Sequence, residues 1–95
     1  MYARVTTMTA KPDRINDMAA QIPALKPQLK SIAGLVNNTI AWRADGHCVA
    51  MAIYESQAAA DAASSQIQSI LGGMAEFLAN PPQVEVYDNA ADMLA

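Results

Sequence analysis

Five side chains in this sequence are of the types that line small-molecule sites: Arg4, Asn38, Trp42, Met51 and Tyr54. Asn38 is the most informative, because it interrupts an apolar strand face and a buried amide needs hydrogen-bonding partners. A pocket lined by Asn38, Trp42 and Met51 would suit a flat, apolar ligand with one polar group. Arg4 and Tyr54 would add a cation and a phenol from other strands. In the plainer alternative, Asn38 bonds to backbone and Trp42 fills the core near a sheet edge. Other chemistries are poorly supplied. His47 and Cys48, the one histidine and the one cysteine, are strand neighbours pointing to opposite faces, so no zinc site is expected. His47 also sits at a hairpin end, where it reads as a surface turn residue rather than a member of a nucleophilic triad. The glycines, Gly34, Gly46, Gly72 and Gly73, form no phosphate-cradling loop. The acids are scattered, with no pair set for general acid and base. No metal or cofactor is expected.

The candidate residues need strands to hold them, and the sequence supplies four. Tyr2–Thr9 is rich in β-branched and aromatic types and reads as a strand. Pro12 fits the first position of a helix, with Asp13 favoured by the helix dipole. Ile15, Met18, Ile22, Leu25, Leu29 and Ile32 then recur every three or four residues as one apolar stripe. Pro23 and Pro27 interrupt it, so a kink or a broken second half is expected. Gly34 marks the exit. Leu35–Arg43 and His47–Tyr54 are strand-like runs around Asp45-Gly46, a strong hairpin signal. Ser56 is placed to cap a second helix whose residues Ile67, Ile70, Leu71, Met74, Phe77 and Leu78 share a face. Gly72-Gly73 weakens that helix, so two shorter helices are possible there. Pro81-Pro82 stops it, and Gln83–Asp88 reads as a last strand. This order gives an α+β, ferredoxin-like β-α-β-β-α-β domain: a four-stranded antiparallel sheet with both helices on one face. It occupies residues 1–95, with a core of about 1–88 and a tail, 89–95, that has no clear partner.

A two-residue Asp45-Gly46 loop would pair Trp42 with Val49, Ile40 with Met51 and Asn38 with Ile53. Val36, Asn38, Ile40, Trp42, Val49, Met51 and Ile53 would then form the core face. Leu35, Asn37, Thr39, Ala41, Arg43, Cys48, Ala50, Ala52 and Tyr54 would form the other, charge-poor apart from Arg43. Two helices cover only one side of a sheet, so this second face calls for a cover, and the economical one is the same face of a second subunit. A homodimer through the sheet face is expected.

Composition sets the outer limits. Hydrophobic residues make up 53% and charged residues 16%, which argues against disorder and is a low charge content for a small monomer. The net charge of −3 argues against nucleic-acid binding, which needs clustered Lys and Arg. All six basic residues lie at or before Arg43, whereas only Asp13 and Asp17 of the nine acids precede Asp45. That asymmetry could steer two subunits together, or simply mark two solvated faces. The lone cysteine suits a reducing cytoplasm. No membrane span or secretory signal is expected, since the longest uncharged run, between Asp61 and Glu76, contains Ser, Gln and Gly.

Residues 1–7, Lys11-Pro12 opening the first helix, Pro23 within it, Tyr54-Glu55-Ser56 before the alanine-rich helix and Pro82-Gln83-Val84-Glu85-Val86-Tyr87 together resemble the antibiotic biosynthesis monooxygenase-like family. The resemblance covers about residues 1–88 and implies a dimeric α+β barrel in which two sheets pack face to face. Characterised members include cofactor-independent monooxygenases acting on polyphenolic aromatics, haem-degrading enzymes, and proteins without known activity. The haem-degrading branch uses an Asn in the first strand and a His and a Trp on the second helical segment. Tyr2–Thr9 has no Asn, and Gln57–Ala79 has neither His nor Trp, so haem degradation is not expected. Cofactor-free oxygenases orient their substrate with Trp, Tyr, Arg and Asn, types present here without a position-by-position match. Two functions stay open: a cofactor-independent monooxygenase-like enzyme on a small aromatic or quinone-like substrate, or a non-catalytic dimeric binding or accessory module.

Overall fold

A computed structural model describes residues 1–94. Strand β1 spans Tyr2–Thr9, β2 Leu35–Trp42, β3 His47–Tyr54 and β4 Gln83–Tyr87, in one sheet of order β2-β3-β1-β4. Every pairing is antiparallel, with β1 between β3 and β4. The first helical region breaks where its prolines fall. Helix α1 covers Ile15–Gln21, a 3-10 turn covers Ile22–Leu25, and α2 covers Lys26–Lys30. Pro23 and Pro27 each stand at the start of a new segment, where a missing N–H costs no helical hydrogen bond. The apolar stripe survives the breaks, because each segment still turns Met18, Ile22, Leu25 or Leu29 toward the sheet.

Helix α3, Gln57–Met74, is continuous, which differs from the weakened helix expected at Gly72-Gly73. Both glycines lie in its last turn, and the Ser56 hydroxyl caps its start by accepting a hydrogen bond from the Ala59 N–H at 3.1 Å. The helix then tightens into a 3-10 turn, Ala75–Phe77, and Leu78 bridges back to Ala10.

The β2–β3 hairpin departs from the expected register by one residue. Trp42 pairs with Cys48, Ile40 with Ala50 and Asn38 with Ala52. The Arg43 N–H donates to the His47 carbonyl at 2.9 Å, and the Gly46 N–H donates to the Arg43 carbonyl at 3.0 Å. Three residues, Ala44 to Gly46, therefore form the loop: a turn followed by Gly46 at φ +92°, which bulges the returning strand. Asp45 Oδ1 holds the turn by accepting from the His47 N–H at 3.0 Å. A one-residue slip exchanges the faces of one strand. Asn38, Ile40 and Trp42 keep the helix side, but Cys48, Ala50, Ala52 and Tyr54 now share it, while Val49, Met51 and Ile53 move to the open side. A bulge at Val36 then lets Leu35 pair with Tyr54 and pack inward.

The interior divides into two clusters. One joins Met8, Ala10, Met18, Cys48, Met74, Phe77 and Leu78, and the other joins Tyr2, Ile32, Ala52, Tyr54, Ala60 and Ala63. Fully burying Met18 contributes about 1.5–3 kcal/mol. The open side of the sheet carries Ala3, Val5, Val49, Met51, Ile53, Ala41 and Tyr87 among a few polar residues, with Glu85 charged at a paired position; the tail residues Ala91 to Leu94, Asp92 among them, line a groove with Val36, Met51 and Ile53 on this side. Val36, Met51 and Tyr87 are about half exposed there. Among the described residues no helix is long and apolar enough to cross a membrane.

Candidate functional site

Between the two clusters, the helices and sheet leave a partly open cavity with about 70 Å³ of space for water centres. One water needs only about 10–15 Å³ of such space, so the gap exceeds a packing defect. Its floor is the middle of the sheet. Arg4 pairs with Ala52 and Ala52 pairs with Asn38, so the three stand in one row across β1, β3 and β2. Ala50 and Ala52, the small residues of the central strand, keep the floor low, while Arg4 and Asn38 flank it. Aliphatic and methionine side chains form the roof: Ile22, Leu25 and Leu29 on one side, Ile67, Ile70 and Met74 on the other.

Arg4, Asn38 and Tyr54 bring polar groups to this apolar space, beside Thr6 and Cys48. Asn38 Oδ1 and the Tyr54 hydroxyl are both buried and have no hydrogen-bond partner. Tyr54 is wholly buried, and burial pushes its phenol above the ordinary value of 10.0, while nearby Arg4 pulls the other way. Arg4 thus lies beside the hydroxyl without donating to it in bonding geometry. Cys48 also lines the cavity; burial raises its thiol above the ordinary 9.0, and Sγ donates to the Gly46 carbonyl at 3.3 Å. Among the described residues, no Asp, Glu or His lines the cavity. Among the described residues, no cluster of His, Cys, Asp and Glu could hold a metal ion.

By sequence, the chain matches no family model and none of the curated proteins. Solved structures do match. A protein of unknown function from Nitrosomonas europaea superposes with a TM-score of 0.84 at 17% identity, covering 99% of this chain and 93% of that one. A Mycobacterium tuberculosis protein gives a TM-score of 0.76 at 20% identity, with 97% of each chain covered. A monooxygenase from Streptomyces coelicolor, solved with nanaomycin D bound, gives a TM-score of 0.74 at 17% identity, covering 99% of this chain and 91% of that one. Several further matches are named as antibiotic biosynthesis monooxygenases. This chain has the antibiotic biosynthesis monooxygenase fold.

Within this fold, the five residues singled out from sequence do not all meet. Arg4, Asn38 and Tyr54 converge on the cavity. Trp42 shares their sheet face but stands beyond the cavity at the hairpin end, 42% exposed. Met51 lies on the opposite face, 46% exposed and paired with Val5 and Thr39. The grouping of Asn38 with Met51 is therefore corrected by the three-residue loop, which puts Ala52 rather than Ile53 beside Asn38 and turns Met51 outward. Thr6 and Cys48 are cavity residues that the sequence reading did not select. Thr6 had a usable signal, since alternation along β1 places it on the face of Arg4.

Proposed function

We propose that this chain is a homodimeric small-molecule-binding protein that takes a small hydroxyaromatic or quinone-like molecule into the cavity and oxygenates it without a cofactor. The observation that carries this reading is the convergence of two buried, unpartnered polar atoms, Asn38 Oδ1 and the Tyr54 hydroxyl, with Arg4 on one apolar slot. Leaving a buried polar group unpaired costs about 1–3 kcal/mol, and a ligand that pairs it recovers that cost. The low alanine floor and aliphatic roof suit a flat ring. The likeness to a monooxygenase solved with a bound ligand supports the same choice at the level of fold.

In such a reaction a phenol and O2 give a quinone and water. A ring carbon ortho to the hydroxyl forms the new C–O bond and loses its hydrogen. The phenol loses its O–H proton, the O–O bond breaks, and the second oxygen atom leaves as water carrying both hydrogens. The ring supplies all the electrons, so the protein's part is to bind, orient and shield it. Asn38 and Tyr54 would orient the ring oxygens, and the aliphatic roof would exclude bulk water.

A second reading has its own support: among the described residues no carboxylate or imidazole lines the cavity to move a proton, which fits a binding module without turnover. Oxygen-electrode measurements with a panel of hydroquinones separate the two. Uptake by the wild type that falls at least about tenfold in Asn38→Ala supports the enzyme. Binding by calorimetry without uptake leaves the binding module, and neither binding nor uptake refutes the site. The homodimer is supported by the largely apolar open face of the sheet, where Val36, Met51 and Tyr87 stay about half exposed. Sedimentation showing only monomer at micromolar concentration would overturn it.

A further inference from the structure

We infer that the ligand of this cavity carries a carboxylate, held by Arg4 and the Tyr54 hydroxyl at one edge of the slot, and a hydroxyl that meets Asn38 at the other. The chemical class is a hydroxyaryl carboxylate. This rests on the reading that the cavity binds a flat small molecule, and it adds a charge and an orientation.

Among the described residues, Arg4 is the one charged residue lining the cavity. The ion pairs among the described residues are Arg14 with Asp17 at 2.8 Å and Arg43 with Asp45 at 3.1 Å, which leaves Arg4 with none. Its cross-strand neighbours, Ala52 on β3 and Val86 on β4, are apolar. The nearest acid along β4, Glu85, pairs with Val5 and so belongs to the open face. Arg4 is half-buried, its guanidinium set against apolar walls with no acidic side chain lining the cavity beside it. An anionic ligand gives that cation a charge-assisted partner.

The Tyr54 hydroxyl gives the second, independent indication. It is wholly buried, unpartnered and beside Arg4. Burial keeps the phenol protonated at neutral pH, so it faces the slot as a donor. Two donors of different shape thus converge on one edge, and a carboxylate has the two oxygens and spare lone pairs to accept from both. Asn38 stands across Ala52 from Arg4, two strand spacings away, or about 10 Å. One aromatic ring with oxygens at both ends spans such a gap. Asn38 Oδ1 is an unfilled acceptor, and a hydroxyl at the far end of the ligand satisfies it by donating.

Calorimetric titration of the purified full chain with 4-hydroxybenzoate and its neutral isostere 4-hydroxybenzamide tests this at pH 7. The wild type should bind the acid about tenfold to a hundredfold more tightly than the amide, the range expected for charge-assisted hydrogen bonds. Arg4→Gln should abolish that preference, and Arg4→Lys should restore part of it. Equal binding of acid and amide by the wild type overturns the carboxylate assignment and leaves the cavity reading standing. So does an undiminished acid preference in Arg4→Gln. If neither compound binds, both are overturned. The acid–amide comparison on the wild type needs no variant, so a poorly folding Arg4→Gln would not shield the inference.

Discussion

Replacing Tyr54 with phenylalanine should make this protein more stable, which reverses the usual effect of deleting a buried tyrosine hydroxyl. Where such a hydroxyl is bonded, its loss removes a net contribution of about 0.5–1.5 kcal/mol. Here the side chain is 0% exposed and its hydroxyl has no partner, so the folded state bears a desolvation cost of about 1–3 kcal/mol. Tyr54→Phe keeps the ring and its contacts with Ala52 and Ala60 in the same cluster, and removes only the unpaired group. The expected gain is about 1 kcal/mol. For a domain of this size that raises Tm by about 4–8 °C. Calorimetric scans at one fixed protein concentration measure it, since self-association would make Tm concentration-dependent. In parallel, affinity for 4-hydroxybenzoate should fall about tenfold, because a donor to the ligand has gone. A Tm lowered by 4 °C or more would refute the reasoning, since it would mean that the hydroxyl has a partner in the folded protein.

The other predictions concern the thiol and phenol, the hairpin and the open face. Burial raises both Cys48 and Tyr54 above their ordinary values of 9.0 and 10.0. Above about pH 9 the unfolded chain therefore gives up these protons first, and stability falls as pH rises through the folded values. Urea midpoints measured from pH 8 to 11 should show that decline; Cys48→Ala should remove its earlier part and Tyr54→Phe its later part. Gly46→Ala should lower stability by about 2 kcal/mol or more, seen as a lower urea midpoint, because φ is +92° and a new Cβ would lie 2.8 Å from the Ala10 carbonyl oxygen. Met51→Asp, on the open face and far from the cavity lining, should give a folded monomer by sedimentation; a wild-type-like dimer in that variant would exclude this face as the interface.

Most of the scaffold was legible because its signals are local. Alternation and β-branched residues give β1 and β3 at their observed ends, and Pro23 and Pro27 break the first helical region where proline cannot continue a helix. Ser56 caps α3 because a hydroxyl just before a run of alanines can accept a first-turn N–H. The Gly72-Gly73 expectation missed because its cost depends on position. In the last turn, with nothing packed on either glycine, the pair does not interrupt the helix.

Sequence alone determined the β-α-β-β-α-β order, the broken first helical region and the presence of Arg4, Asn38 and Tyr54 on strands. Only the tertiary structure decided which of the candidate residues meet. Asp45-Gly46 is compatible with a two- or a three-residue loop. The choice lies in long-range contacts such as the Ala10 N–H donating to the Gly46 carbonyl at 2.8 Å, beside the αL geometry of Gly46. That one-residue choice turned Met51 out and brought Ala50, Ala52 and Tyr54 under the helices. The run of small residues on β3, read as a surface for a second sheet, became the low floor of a cavity instead. A strand carries two faces in one sequence, and its period of two says which residues travel together but not which way they point.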